Sequence, residues 1–194
     1  MTPPMSPMDP TDADLARAAA SLQAELDKKT ARFRRPGPPS FQPAAPPADA
    51  AVEALTEALA RDAVLLACVT CDAAPGVVLR AGVLRDGFTL ALVVAPSDRP
   101  AYVELTTFLA RPPRPERDVV TTNARPDAPP PRPARAALER LPGASVPTLR
   151  RRHLERLAAV TSGPGEDDPV RLWIEPTEQG VLRALGDYLR LVAV

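Results

Sequence analysis

Residues 63–95 constrain this chain more than any other stretch. They read AVLLACVT, a turn, GVVLRAGVL, Asp86-Gly87, then FTLALVVA. These are three apolar runs of strand length separated by turn residues. Asp-Gly between two such runs predicts a two-residue type I′ hairpin, because both central residues need positive φ. That turn sets Val83 opposite Leu90, Ala81 opposite Leu92 and Leu79 opposite Val94. One face then carries Val77, Leu79, Ala81, Val83, Phe88, Leu90, Leu92 and Val94. The other carries Val78, Arg80, Gly82, Leu84, Thr89, Ala91 and Val93. An apolar face backed by a mixed one is the pattern of an antiparallel sheet with one side on a core. Residues 64–70 supply a third strand.

The predicted fold class is α+β: a mainly antiparallel, three- to four-stranded sheet with helices packed on one face, preceded by a tethered N-terminal helix. Residues 1–10 are expected to be disordered. Thr11 and Asp14 form a capping-box-like start for a helix over 11–35. Its apolar stripe includes Leu15, Leu22, Leu26 and Phe33, and its end is basic. Proline makes up 26 of 194 residues and is clustered. In 36–47, six of twelve residues are Pro, which predicts an extended, semi-rigid linker. The domain is expected to span 48–194. Within it, helices are predicted over 49–62, from Ser97 through Leu109, over 135–141, over 146–160 and after Thr177. Residues 118–122 read as an edge strand in a proline-rich loop (111–133), and 170–175 as an alternating strand.

Net charge is zero, yet residues 111–156 hold eleven Arg against five acids. That allows a local basic patch but not a general polyanion binder. Apolar runs reach only about eight residues, against the ~20 a membrane-spanning helix needs. The N-terminus has no basic segment followed by an apolar one. The expectation is a cytoplasmic protein with no membrane association. Its Ala/Arg/Pro-heavy, Lys-poor composition fits a GC-rich bacterial genome.

No catalytic, cofactor or metal site is predicted. Cys68-x-x-Cys71 is half a zinc site, and two Cys build no disulfide framework. A strand would put the two thiols on opposite faces. His153 is the single histidine, so a Ser-His-Asp or Cys-His site would have to use it. It follows three arginines, and a helix-surface position or a polar contact is the expectation. Glu166-Asp167-Asp168 lacks the alternating spacing of a calcium loop. The nine glycines build no phosphate-binding motif.

The segments LERLPGASVPTLRRRHLERL and PVRLWIEPTEQGVLRAL resemble the helix-turn-helix and wing of winged-helix regulators. The resemblance implies that Thr148, Arg150, Arg151 and Arg152 face DNA. Pro142 and the five-residue step from Leu149 to Leu154 depart from that pattern. The functional expectation is a non-catalytic protein-binding or adaptor protein that docks a partner, or itself, through the tethered helix. DNA binding through residues 135–180 is the alternative, and an enzyme with a site assembled from distant loops is a further one.

Overall fold

The computed structural model describes residues 39–110, 118–126, 136–161 and 170–192. The N-terminal helix expected over 11–35, with Leu15, Leu22, Leu26 and Phe33, lies outside them, as do Glu166–Asp168. The elements run β1 (Phe41–Pro43), α1 (Ala50–Ala60), β2 (Ala63–Cys71), β3 (Ala74–Leu84), β4 (Thr89–Pro96), β5 (Tyr102–Ala110), β6 (Asp118–Thr122), β7 (Ala136–Arg140), α2 (Val146–Thr161), β8 (Val170–Arg171) and α3 (Glu178–Val192). Strands β1 to β7 lie side by side in chain order, and β8 pairs with the far end of β5. All pairings are antiparallel except β6 with β7.

The expected three- to four-stranded sheet is therefore corrected to eight strands, with helices on both faces. One layer joins Leu79, Ala81, Leu90 and Leu92 to Val181, Leu185, Tyr188 and Leu189 of α3. The other joins Ala91, Val93, Val103 and Leu105 to Val52 and Leu59 of α1 and Val146 and Leu149 of α2. Burial on both faces makes the central strands continuously apolar or uncharged, which hides the period of two.

That hiding accounts for the main errors. Tyr102, Leu105, Phe108 and Leu109 mimic a helical stripe, but Tyr-Val-Glu-Leu-Thr-Thr-Phe-Leu is rich in β-branched and aromatic residues and forms β5. Residues 136–140, Ala-Ala-Leu-Glu-Arg, favour a helix locally, yet they pair in parallel with β6 as β7. Sheet completion outweighs a propensity worth tenths of a kcal/mol per residue. With β7 outside it, β6 is an inner strand rather than an edge. Of 170–175, only Val170 and Arg171 pair as a strand, and Val170 and Leu172 are exposed rather than facing a core.

The hairpin register is as the sequence predicts, with Val83 opposite Leu90 and Leu79 opposite Val94. Its turn differs from a simple two-residue loop. Gly87 N donates to Leu84 O, and Gly87 has φ +77°. The Asp86 carboxylate accepts from Phe88 N and Thr89 N, an Asx-type brace. Phe41–Pro43, inside the proline-rich stretch, is extended and pairs with the end of β2. A bulge in β2 between Leu65 and Ala67 brings its backbone onto Gly82. A Cβ there would stand 2.2 Å from Val64 O.

Candidate functional site

The basic segment of α2 carries Thr148, Arg150, Arg151 and Arg152, the residues expected to face DNA. Ser145 caps the helix, with Thr148 N donating to its Oγ at 3.4 Å. Thr148 is exposed, and its hydroxyl lies 3.0 Å from that of Ser145. Arg150 reaches the Asp62 carboxylate at 2.8 Å. Arg152 grips both oxygens of Glu139 at 2.9–3.0 Å and also meets Glu155 at 3.2 Å. Arg151 has a side chain 75% exposed and only a 3.9 Å approach to Glu155. Arg150 and Arg152 thus bind α2 to the α1–β2 corner and to β7. The preceding segment, expected as the first helix of a helix-turn-helix, is strand β7.

His153 is not a surface residue: it is fully buried between α2 and the sheet. Its Nδ1 lies 3.0 Å from Thr121 Oγ1 and its Nε2 lies 3.0 Å from Thr107 Oγ1. Thr107 Oγ1 is 2.9 Å from Thr89 Oγ1, which donates to Asp86 Oδ2 at 3.1 Å. At the other end, Arg156 donates to Thr121 Oγ1 at 2.8 Å. Each hydroxyl has one proton, which sets the direction of the whole chain. Thr89 spends its proton on Asp86, so Thr107 donates to Thr89 and accepts from His153. The imidazole therefore carries its proton on Nε2, and Nδ1 accepts from Thr121. Burial, aided by the Arg156 charge, drives the His153 pKa down to about 4 against the pull of Asp86. This is a neutral histidine pinning α2 across β4, β5 and β6, sealed from any substrate. Of the two expected roles the polar contact holds and the helix-surface position does not; the partners lie 32 and 46 residues away, so the sequence could not name them.

The opposite face of β5 buries Glu104 and Thr106, at 2% and 0% exposure. Glu104 Oε1 and Thr106 Oγ1 make no hydrogen bond. The Tyr188 hydroxyl donates to the Glu104 carboxyl. Desolvation pushes the Glu104 pKa up to about 7, resisted by Tyr188 and by the Arg140 charge. The cysteines are both free, and burial pushes both thiols up, the reverse of an activated thiolate.

A cleft of about 660 Å³ opens between α3 and the segment leading into it. Phe108, Leu172, Trp173 and Ile174 line one side, and Gly180, Arg183 and Ala184 of α3 the other. Leu172 N donates to Phe108 O and Ile174 N to Gly87 O, so residues 172–174 run extended beyond β8. Thr177 caps α3 through Gly180 N at 3.1 Å. Trp173, the single tryptophan, stands edge-on to Phe88 at 5.4 Å and is 61% exposed. Gly87 lets it lie there, since a Cβ on that residue would sit 1.9 Å from the indole. Leu172, which shares the cleft, is 46% exposed, and Val170 of β8 is 64% exposed. The strand alternation set Val170, Leu172 and Ile174 on one face, and only Ile174 reaches a core.

Comparison with known proteins finds no matching family model, no matching curated protein and no matching solved structure. No helix among the described residues is long and apolar enough to cross a membrane.

Proposed function

We propose that this chain is a non-catalytic protein-binding module that meets another protein through the Trp173 surface, with the N-terminal helix as a second, tethered contact. The observation that carries the reading is the placement of the only tryptophan. A large aromatic held outward beside a cleft, with two further exposed aliphatic side chains, is the makeup of a binding anchor. A surface tryptophan without a partner leaves roughly 100 Å² or more of apolar area in water. The apolar stripe expected over residues 11–35 supports a helix that docks on a partner.

The test places a photo-crosslinking benzoyl-phenylalanine at position 173 in producing cells. The expected product is one discrete heteromeric adduct. It should disappear with Leu172→Asp and weaken when residues 1–35 are deleted. Adducts formed only between copies of the chain would make the surface a self-association site. Unchanged mobility at every exposure would sink the reading.

Thr148 and Arg151 are exposed on α2, and they keep a second reading in play, contact with duplex DNA. It requires Arg150 and Arg152 to leave their carboxylates or to serve only as scaffolding. Fluorescence anisotropy with labelled duplex at low salt decides it. Binding that falls steeply with salt and is lost in Arg151→Ala supports DNA contact.

A further inference from the structure

The α3-facing side of β5 presents Tyr102, Glu104, Thr106 and Phe108 in alternation. Glu104 stands between Leu92 of β4 and Thr122 of β6, and Thr106 between Leu90 and Val120. The titratable and charged groups acting on Glu104 are few. They are Tyr188 from α3, Tyr102 from its own strand and Arg140 from β7. Tyr188 is buried and donates one hydrogen bond. Glu104 makes no ion pair among the described residues. A carboxylate removed from water without a cation at contact distance is costly, and a carboxyl in that position keeps its proton.

We propose that Glu104 is buried as the neutral acid and serves as a proton-dependent latch on α3. With the proton in place no net charge lies beneath the helix, and α3 stays packed on the sheet over the buried Tyr188 and Glu104. Loss of the proton leaves a desolvated negative charge under α3, and the helix loosens to let water reach it. Burial moves the group's titration from the acidic range toward neutrality, and pushes the Tyr188 hydroxyl far up as well. Gly180, Arg183 and Ala184 line the Trp173 cleft from α3, so the latch would also set the shape of that cleft. This last consequence rests on the protein-binding reading. The latch itself does not.

Two measurements on the full chain test the latch. Carbon-13 NMR of the glutamate carboxyls, assigned with Glu104→Gln, gives the titration midpoint of Glu104. Hydrogen exchange, corrected for intrinsic pH dependence, gives the protection of α3 relative to α1. The expected result is a midpoint near 7. Protection of α3 should fall by about tenfold or more between pH 5.5 and 8.5. Glu104→Gln should abolish that dependence. Tyr188→Phe keeps the ring but removes a bond that favours the charged form, so it should raise the midpoint. A midpoint below 5 overturns the proposal. So does α3 protection that ignores the ionisation, whatever happens at the Trp173 surface. If Glu104→Gln fails to fold, the wild-type midpoint and the Tyr188→Phe shift still decide.

Discussion

Thr107 and Glu104 stand three residues apart on β5, one facing α2 and the other facing α3. Both are inside the protein, and both belong to polar groups that a core must accommodate. On the α2 side every hydroxyl from Arg156 to Asp86 donates once to its neighbour, and the chain ends on a carboxylate. On the α3 side Glu104 and Thr106 each leave an oxygen without a hydrogen bond. The contrast separates two uses of buried polarity. A completed network specifies one arrangement of helix on sheet. An incomplete one stores a cost that a proton can change.

The strongest way to break this comparison is to open the completed network. His153→Ala removes the shared partner of Thr107 and Thr121 and leaves a cavity. The expected loss is about 3–5 kcal/mol of unfolding free energy, read by chemical denaturation. A loss below ~1 kcal/mol would mean that the chain of threonines is incidental.

Next in size is the pH dependence, where the two faces oppose each other. The folded His153 pKa of about 4 is below its ordinary 6.5, so the unfolded chain binds the extra proton. Its contribution is complete above pH 6.5 and is lost as pH falls toward 4. The folded Glu104 pKa of about 7 is above its ordinary 4.5, so the folded chain binds the extra proton. Its contribution is complete below pH 4.5 and is lost as pH rises toward 7. Each slope is at most about 1.4 kcal/mol per pH unit. The two nearly cancel between pH 4.5 and 6.5. Denaturation midpoints of the wild type should be almost level across that window. Glu104→Gln should make stability rise with pH, and a folded His153→Asn should make it fall. Matching slopes in all three proteins would refute the opposition.

Smaller again is Gly87→Ala, at the turn that carries the indole. Positive φ and the displaced Trp173 should cost about 1–2 kcal/mol. Tryptophan emission should shift in the same variant, because the single indole loses its seat on Phe88. The smallest effect belongs to the exposed surfaces. Trp173→Ala and Arg151→Ala should each change stability by less than about 1 kcal/mol. Any binding lost in them would then be attributable to the removed side chain.

The local chemistry of short segments was legible from the start. Asp86-Gly87 set a hairpin whose register survives intact, because a short turn between alternating runs leaves one pairing that keeps each side chain on its face. The helix starts expected near 49, at 146 and after Thr177 hold, and in the structure oxygens of Asp49, Ser145 and Thr177 accept from amide groups a few residues onward. What the tertiary structure alone decided was everything that depends on distant partners. The helical stripe of 102–109 became β5, and the helix-favouring 136–140 became β7, because sheet neighbours far along the chain satisfied their backbones. His153, beside three arginines, read as a helix-surface residue or a polar contact, and threonines from two strands decided for a buried polar contact. Trp173 read as lying on the strand face opposite Val170, Leu172 and Ile174, and the structure alone supplied its seat on Phe88 beside Gly87. Sequence patterns report which face of an element is apolar. They carry no record of what a second layer will place against the other face, and here that second layer determined the buried network.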